Sequence, residues 1–165
     1  MKIDRRLLTV VVLSLGIMSL RPLHAQTAAA GISPVSTVST FTLQVSGTAP
    51  QLKTGLTEAV SFSGPLVVKT IVSTDPTLGP SAVVSVDGRG VKGLGTKTGS
   101  VYLNECEANL TRPFGATDAI KMTFAFFQDA PGSYMTSKTG LLTLNLTYDT
   151  KTMVLTTVTG SVGTP

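Results

Sequence analysis

Residues 141–159 read LLTLNLTYDTKTMVLTTVT. Leu142, Leu144, Leu146 and Tyr148 take alternate positions, with Thr143, Asn145 and Thr147 between them. A period of two sends the apolar set to one face of an extended chain and the polar set to the other, which a helix cannot do. The link Asp149-Thr150-Lys151-Thr152 is short and polar, and Met153/Leu155 resume the alternation beyond it. Two such runs around such a link predict an antiparallel hairpin.

The same pattern recurs toward the N-terminus at Ile120/Met122/Phe124/Phe126, Val84/Val86, Leu66/Val68/Val72, Val60/Phe62 and Phe41/Leu43/Val45. Between the runs stand Gly47-Thr48-Ala49-Pro50, Asp75-Pro76 with Gly79-Pro80, Asp87-Gly88, Arg112-Pro113 with Gly115, and Asp129-Ala130-Pro131-Gly132. Proline lacks the ladder donor and glycine permits positive φ, so these stretches read as strand ends. Threonine fills much of the polar face, where its β-branched body suits a solvated strand. The prediction is an all-β protein, an antiparallel β-sandwich or a small closed β-barrel of about eight strands. Only residues 51–59 carry a helical spacing, at Leu52, Leu56 and Ala59, and Gly55 limits it to a short turn.

The chain has 165 residues, enough for one modest core. Its first 25 residues hold Lys2, Arg5 and Arg6, an apolar run from Leu7 to Leu20, and then Arg21-Pro22-Leu23-His24-Ala25. That order of charge, hydrocarbon and small residue is the pattern of a secretory signal peptide. As a helix the run rises about 21 Å, short of a bilayer core of about 30 Å, so no transmembrane anchor is expected in the mature chain. Residues 26–37 are small, polar and aperiodic and read as a flexible leader; residues 38–165 read as a single all-β domain. The location expected is outside the cytoplasm: periplasmic, cell-surface or extracellular.

Cleavage after Ala25 removes Lys2, Arg5, Arg6, Arg21 and Asp4, leaving nine basic against eight acidic residues. A nearly neutral surface lacks the clustered cations that phosphate backbones require, so nucleic acid is not an expected partner. His24 leaves as well, and it is the only histidine. The mature chain therefore cannot build a Ser/His/Asp triad, a Cys/His dyad or an imidazole-based metal site, and no metal, cofactor or catalytic residue is expected. Cys106 has no partner in the chain. In YLNECEANL it shares a strand face with Tyr102, Asn104, Ala108 and Leu110, and reads as a small buried thiol.

Five residues stand out as candidate binding groups. Gly88-Arg89-Gly90-Val91-Lys92-Gly93 is a literal GxGxxG after a strand, but it runs on into Leu94-Gly95-Thr96-Lys97-Thr98-Gly99, which opens no helix for a pyrophosphate. The glycines read instead as a mobile hairpin loop or as bulges where the sheet bends. Arg89, Lys92 and Lys97 are its candidate anion contacts. Glu105 and Glu107, two apart on a strand, point to one face about 6.6 Å apart along the chain, a spacing of interest for glycoside hydrolysis or calcium. Lys69 lies near Ser61, Ser63 and Ser73 in sequence but reads as an amphipathic edge lysine. Phe127 faces away from Phe124 and Phe126, which marks it for a second packed sheet or a contact surface.

The function these features imply is an exported, non-catalytic β-domain that serves as a binding, adhesive or structural component of the cell envelope or extracellular space. Its partner would be another envelope or extracellular protein. A small β-barrel carrier of an apolar small ligand is the first alternative, and a carboxylate-dependent hydrolase the second.

Overall fold

The computed structural model describes residues 36–51 and 56–165. The signal peptide, most of the leader and the Leu52 end of the short turn lie outside the described residues. Nine strands follow in order: β1 (Ser36–Ala49), β2 (Val60–Asp75), β3 (Gly79–Asp87), β4 (Lys92–Gly95), β5 (Val101–Asn104), β6 (Glu107–Pro113), β7 (Thr117–Gln128), β8 (Lys138–Asp149) and β9 (Val154–Gly163). A 3-10 turn, Ser133–Thr136, lies between β7 and β8. The all-β class read from the alternation is the class observed.

The strands form one sheet in the order β1-β9-β8-β7-β5-β4-β2-β3-β6, and an added β1–β2 pairing joins the two halves into a ring. Two long strands are each broken once, so the nine segments amount to seven passes of the chain, where about eight strands were expected. β3 and β4 together run along one edge of β2, and β5 and β6 run back beside them. Counted this way seven chain passes make the ring, each antiparallel to the next. An odd number of alternating passes must close in parallel. The closing pair is indeed parallel, a bridge between Gly47 on β1 and Val162 on β9.

That closure corrects one sequence expectation. Gly47-Thr48-Ala49-Pro50 reads as a turn, yet β1 continues through Gly47 to Ala49 and stays paired with β2 to Val60. A Cβ on Gly47 would stand 1.6 Å from the Val162 carbonyl oxygen. The glycine is there so that two strands can touch, and the chain turns only beyond it.

Among the described residues the alternating apolar runs face inward. Val60, Phe62, Leu66, Val68 and Val72 of β2, Ile120, Phe124 and Phe126 of β7, and Leu142, Leu144 and Leu146 of β8 are buried in one cluster. Phe126 packs edge-on against Phe62 with ring centroids 5.0 Å apart and against Tyr102 at 6.1 Å. A small void bounded in part by Leu66, Cys106, Phe124 and Leu142 holds about 10 Å³. That is room for about one water.

The breaks sit side by side. Asn104 donates its side-chain amide to the Val91 carbonyl and accepts the Cys106 N–H at 2.9 Å, while Gly88 N–H reaches the Cys106 carbonyl at 2.7 Å. One buried amide thus holds both bent strands. Gly88 lies against Leu66 and Cys106, and Gly90 against Pro65, with added Cβ atoms meeting them at 2.9–3.0 Å. Of the two readings of the Gly88–Gly93 motif, the bend in the sheet is the one seen, and the segment is packed against β2. Gly64, at φ 147°, completes the fit by letting the Gly90 and Val91 backbone approach β2.

Candidate functional site

On the outer face, β2, β3 and β6 bring alternate residues into two rows. Lys69 pairs with Ser85 and Ser85 with Asn109; Val67 pairs with Asp87 and Asp87 with Glu107. Together they line an open depression of about 210 Å³. Ser85 Oγ donates to Asn109 Oδ1 at 2.6 Å. Arg89, in the turn that follows β3, folds back over Asp87: its Nε donates to Oδ1 at 2.9 Å and its Nη2 to Oδ2 at 2.6 Å. Its other guanidinium nitrogen comes within 3.6 Å of Glu107.

These contacts set the charge states. The Arg89 side chain and backbone N–H lower the Asp87 carboxyl to about 2, and Asp87 in return holds the guanidinium protonated. Two cations, Lys69 and Arg89, thus stand against two anions, Asp87 and Glu107. A balanced shelf with a free ammonium, a hydroxyl and an amide suits a neutral polar ligand better than a polyanion. Lys69, Arg89, Glu107 and Asn109 are exposed and Ser85 and Asp87 half-buried, so the hydrogen bonds of the shelf compete with water.

Of the five candidate residues the structure joins Arg89 with Glu107 and separates the rest. Lys92 is exposed on the outer face of β4, opposite Ser63 on β2. Lys97 sits at the tip of the β4–β5 turn, where its backbone N–H donates to Glu58 at 2.7 Å. Glu105 and Glu107 are both exposed, as the spacing predicts, but the strand break falls between them. Glu105 N–H bonds the Ala125 carbonyl of β7, whereas Glu107 pairs with Asp87 of β3. They answer to different strands. Cys106, between them, is buried, and burial followed by the nearby Asp87 charge pushes its thiol up to about 11. Such a thiol is a poor nucleophile.

Lys69 lies across the ladder from Ser85, a serine 16 positions away, and not from any serine near it in sequence. Nothing local marks that pairing, because it is set by the register of β2 on β3. Glu58 is the residue sequence reading passed over. It is buried, and its carboxylate accepts the N–H groups of Lys97 and Thr98 at 2.7 and 2.9 Å and the Thr98 hydroxyl at 2.5 Å. The Thr98 hydroxyl first, then the backbone donors, hold it below the ordinary carboxylate range.

No known protein family, characterised protein or solved structure matches the chain. Its function must therefore be argued from these residues. Among the described residues no group of three or more His, Cys, Asp or Glu side chains is placed to hold a metal ion, and no helix is long and apolar enough to cross a membrane.

Proposed function

We propose that the chain is an exported, non-catalytic β-domain, residues 38–165, that acts as a binding, adhesive or structural component of the cell envelope or extracellular space. One observation carries the reading. The interior is filled by the protein's own side chains, with Phe62, Phe124, Phe126 and Tyr102 in edge or tilted contact around the centre. Pockets for small ligands run to roughly 300–1,000 Å³. A void of about 10 Å³ cannot serve as one, so recognition falls to the outer surface, where the Lys69–Ser85–Asn109 row and the Asp87–Arg89–Glu107 group supply polar contacts. That favours a protein or other polar partner over an apolar cargo. The hydrolase alternative draws no support from Glu105 and Glu107, whose ladder partners lie on different strands.

The ring is best read as a flattened sandwich. β1 and β9 meet at a single bridge, and β6 and the first part of β7 have ladder partners only on the sides away from each other. A sandwich leaves its seams in just such places. Native mass spectrometry of protein purified from its own host tests the functional reading. The expected mass is that of the polypeptide alone or of protein complexes, with residues 1–25 missing. A reproducible added mass of a small apolar molecule would sink it in favour of the carrier.

A further inference from the structure

The ring has two seams, and the chain itself closes only one of them. Between β1 and β9 the Gly47–Val162 bridge is joined by a side chain, Ser39 Oγ accepting the Leu155 N–H at 3.2 Å. Between β6 and β7 no ladder runs among the described residues. That gap is pinned at both ends. At one end Glu105 N–H donates to the Ala125 carbonyl at 3.0 Å, and at the other Arg112 Nη2 donates to Asp118 Oδ1 at 2.8 Å. Counting inward from either contact sets Leu110 level with Ile120. Leu110 and Met122, both half-buried, lie along the gap.

Successive residues of an antiparallel strand turn their backbone groups to opposite sides. On β6 the Cys106 carbonyl accepts the Gly88 N–H and the Phe114 N–H donates to the Pro80 carbonyl, so the even-numbered residues bond β3. The N–H groups of Glu107, Asn109 and Thr111 and the carbonyls of these residues and Pro113 therefore point into the gap. On β7 the Ala116 carbonyl accepts from Tyr148 of β8, while the Ala125 carbonyl turns the other way, to Glu105. Thr117, Ala119, Lys121 and Thr123 thus face the gap as well. The Asp118 carboxylate takes the Ala119 N–H, and the others have no ladder partner on that side among the described residues. Such an edge is a template for a further strand.

We infer that the β6 and β7 edges pair with the same edges of a second copy about one two-fold axis, which passes beside Leu110 and Ile120. On β6, Asn109 then lies across from Thr111 of the second copy and Glu107 across from Pro113, and every gap-facing N–H meets a carbonyl. Because Leu110 and Ile120 are level, the same axis sets Lys121 across from Ala119 and Thr117 across from Thr123. Each Arg112–Asp118 pair stays matched within its own copy and lies over Ala108 and Met122 of the other. The two Lys121 side chains are diagonal neighbours on the exposed face, where water screens them. Moving the axis one residue, to Asn109, would set Lys121 directly against Lys121; moving it to Thr111 shortens the β6 ladder. That one axis serves both edges, in phase with the hydrogen bonding of each, is what selects a second copy over a foreign peptide. Two short strands from each copy make an interface at the small end of the range, so a reversible dimer is the form expected. It goes beyond the function proposed above and depends neither on export nor on what the shelf binds.

Sedimentation equilibrium of the purified protein over a wide concentration range, with the fold of each variant checked by circular dichroism and thermal melting, decides the matter. The wild type should move from monomer to dimer as concentration rises. Thr111→Pro removes a gap-facing donor from each copy and leaves the β3 ladder whole, so it should keep the fold and weaken association by about tenfold or more. The axis is read separately by oxidation. Cysteines directly across a hydrogen-bonded pair stand about 5.5 Å apart at Cα, within disulfide range. An equimolar mixture of Asn109→Cys and Thr111→Cys should therefore cross-link several-fold faster than either variant alone. A wild type that stays monomeric throughout, a dimer unmoved by Thr111→Pro, or a single-cysteine variant that cross-links as fast as the mixture overturns the inference. Slow hydrogen exchange at the Asn109 and Thr111 amides of a monomer, lost when residues 26–35 are removed, would overturn it in favour of the chain's own leader as the added strand.

Discussion

The β7–β8–β9 meander and the bent pair β3/β4 and β5/β6 solve the same problem by different means. In the meander the backbone satisfies itself: β7 pairs with β8 from Thr117 through Phe126, and β8 with β9 from Leu141 through Asp149 with one irregularity at Thr147/Tyr148. In the bent pair the ladder is interrupted, and the freed groups turn to a side chain. Asn104 takes the Val91 carbonyl and the Cys106 N–H. Buried backbone groups cannot go unpaired without cost. The comparison teaches that the meander depends on hydrocarbon packing over a complete ladder, whereas the bent pair depends on one amide and a few missing Cβ atoms.

The largest effect belongs to the meander. Phe126→Ala removes a fully buried ring in edge contact with Phe62 and Tyr102 and should cost about 3–5 kcal/mol by urea unfolding. Next comes Asn104→Leu, similar in size but without polar atoms, which orphans a buried carbonyl and a buried N–H and should cost about 2–4 kcal/mol. If that variant is as stable as the wild type, the amide is not what holds the bend and the contrast fails. Gly88→Ala would push a Cβ to 2.9–3.0 Å from Leu66 and Cys106, with an expected cost of about 1–3 kcal/mol. Combining it with Cys106→Ala should relieve part of that strain, so the two losses should fall short of additive.

The smallest effect is seen on acidification. Glu58 is held below its ordinary value in the folded state, so its contribution is present above the unfolded value and is lost as pH falls through the folded one. Glu58→Gln should therefore flatten the decline of melting temperature on the acid side, below about pH 4.5. Asp149→Asn in the β8–β9 turn offers the control that sharpens the comparison. Its carboxylate also accepts backbone N–H groups, from Lys151 and Thr152, but in an exposed turn. An acid response in which the Asp149 variant exceeds the Glu58 variant would show that burial is not what sets the two turns apart.

These two carboxylates also mark how far the sequence could be read. Asp149 acts on residues two and three positions ahead, so Asp149-Thr150-Lys151-Thr152 reads as a turn without further help. Glu58 acts on Lys97 and Thr98, about 40 positions away, and no local pattern reveals it. The same division runs through the candidate site. The outward aim of Glu105, Glu107 and Lys69 follows from parity along each strand. That Arg89 bridges Asp87 and Glu107, and that Lys69 faces Ser85, follows from register between strands.

By itself the sequence determined the strands, the faces they bury and the positions where most of them end, because the alternation of side chains and the backbone limits of glycine and proline act over a few residues. The tertiary structure decided the closure of the ring through Gly47, the bends pinned by Asn104, and which polar groups share the outer shelf. Those outcomes hang on atoms far apart in the chain that become neighbours only when the sheet has curled on itself and excluded water from between its faces.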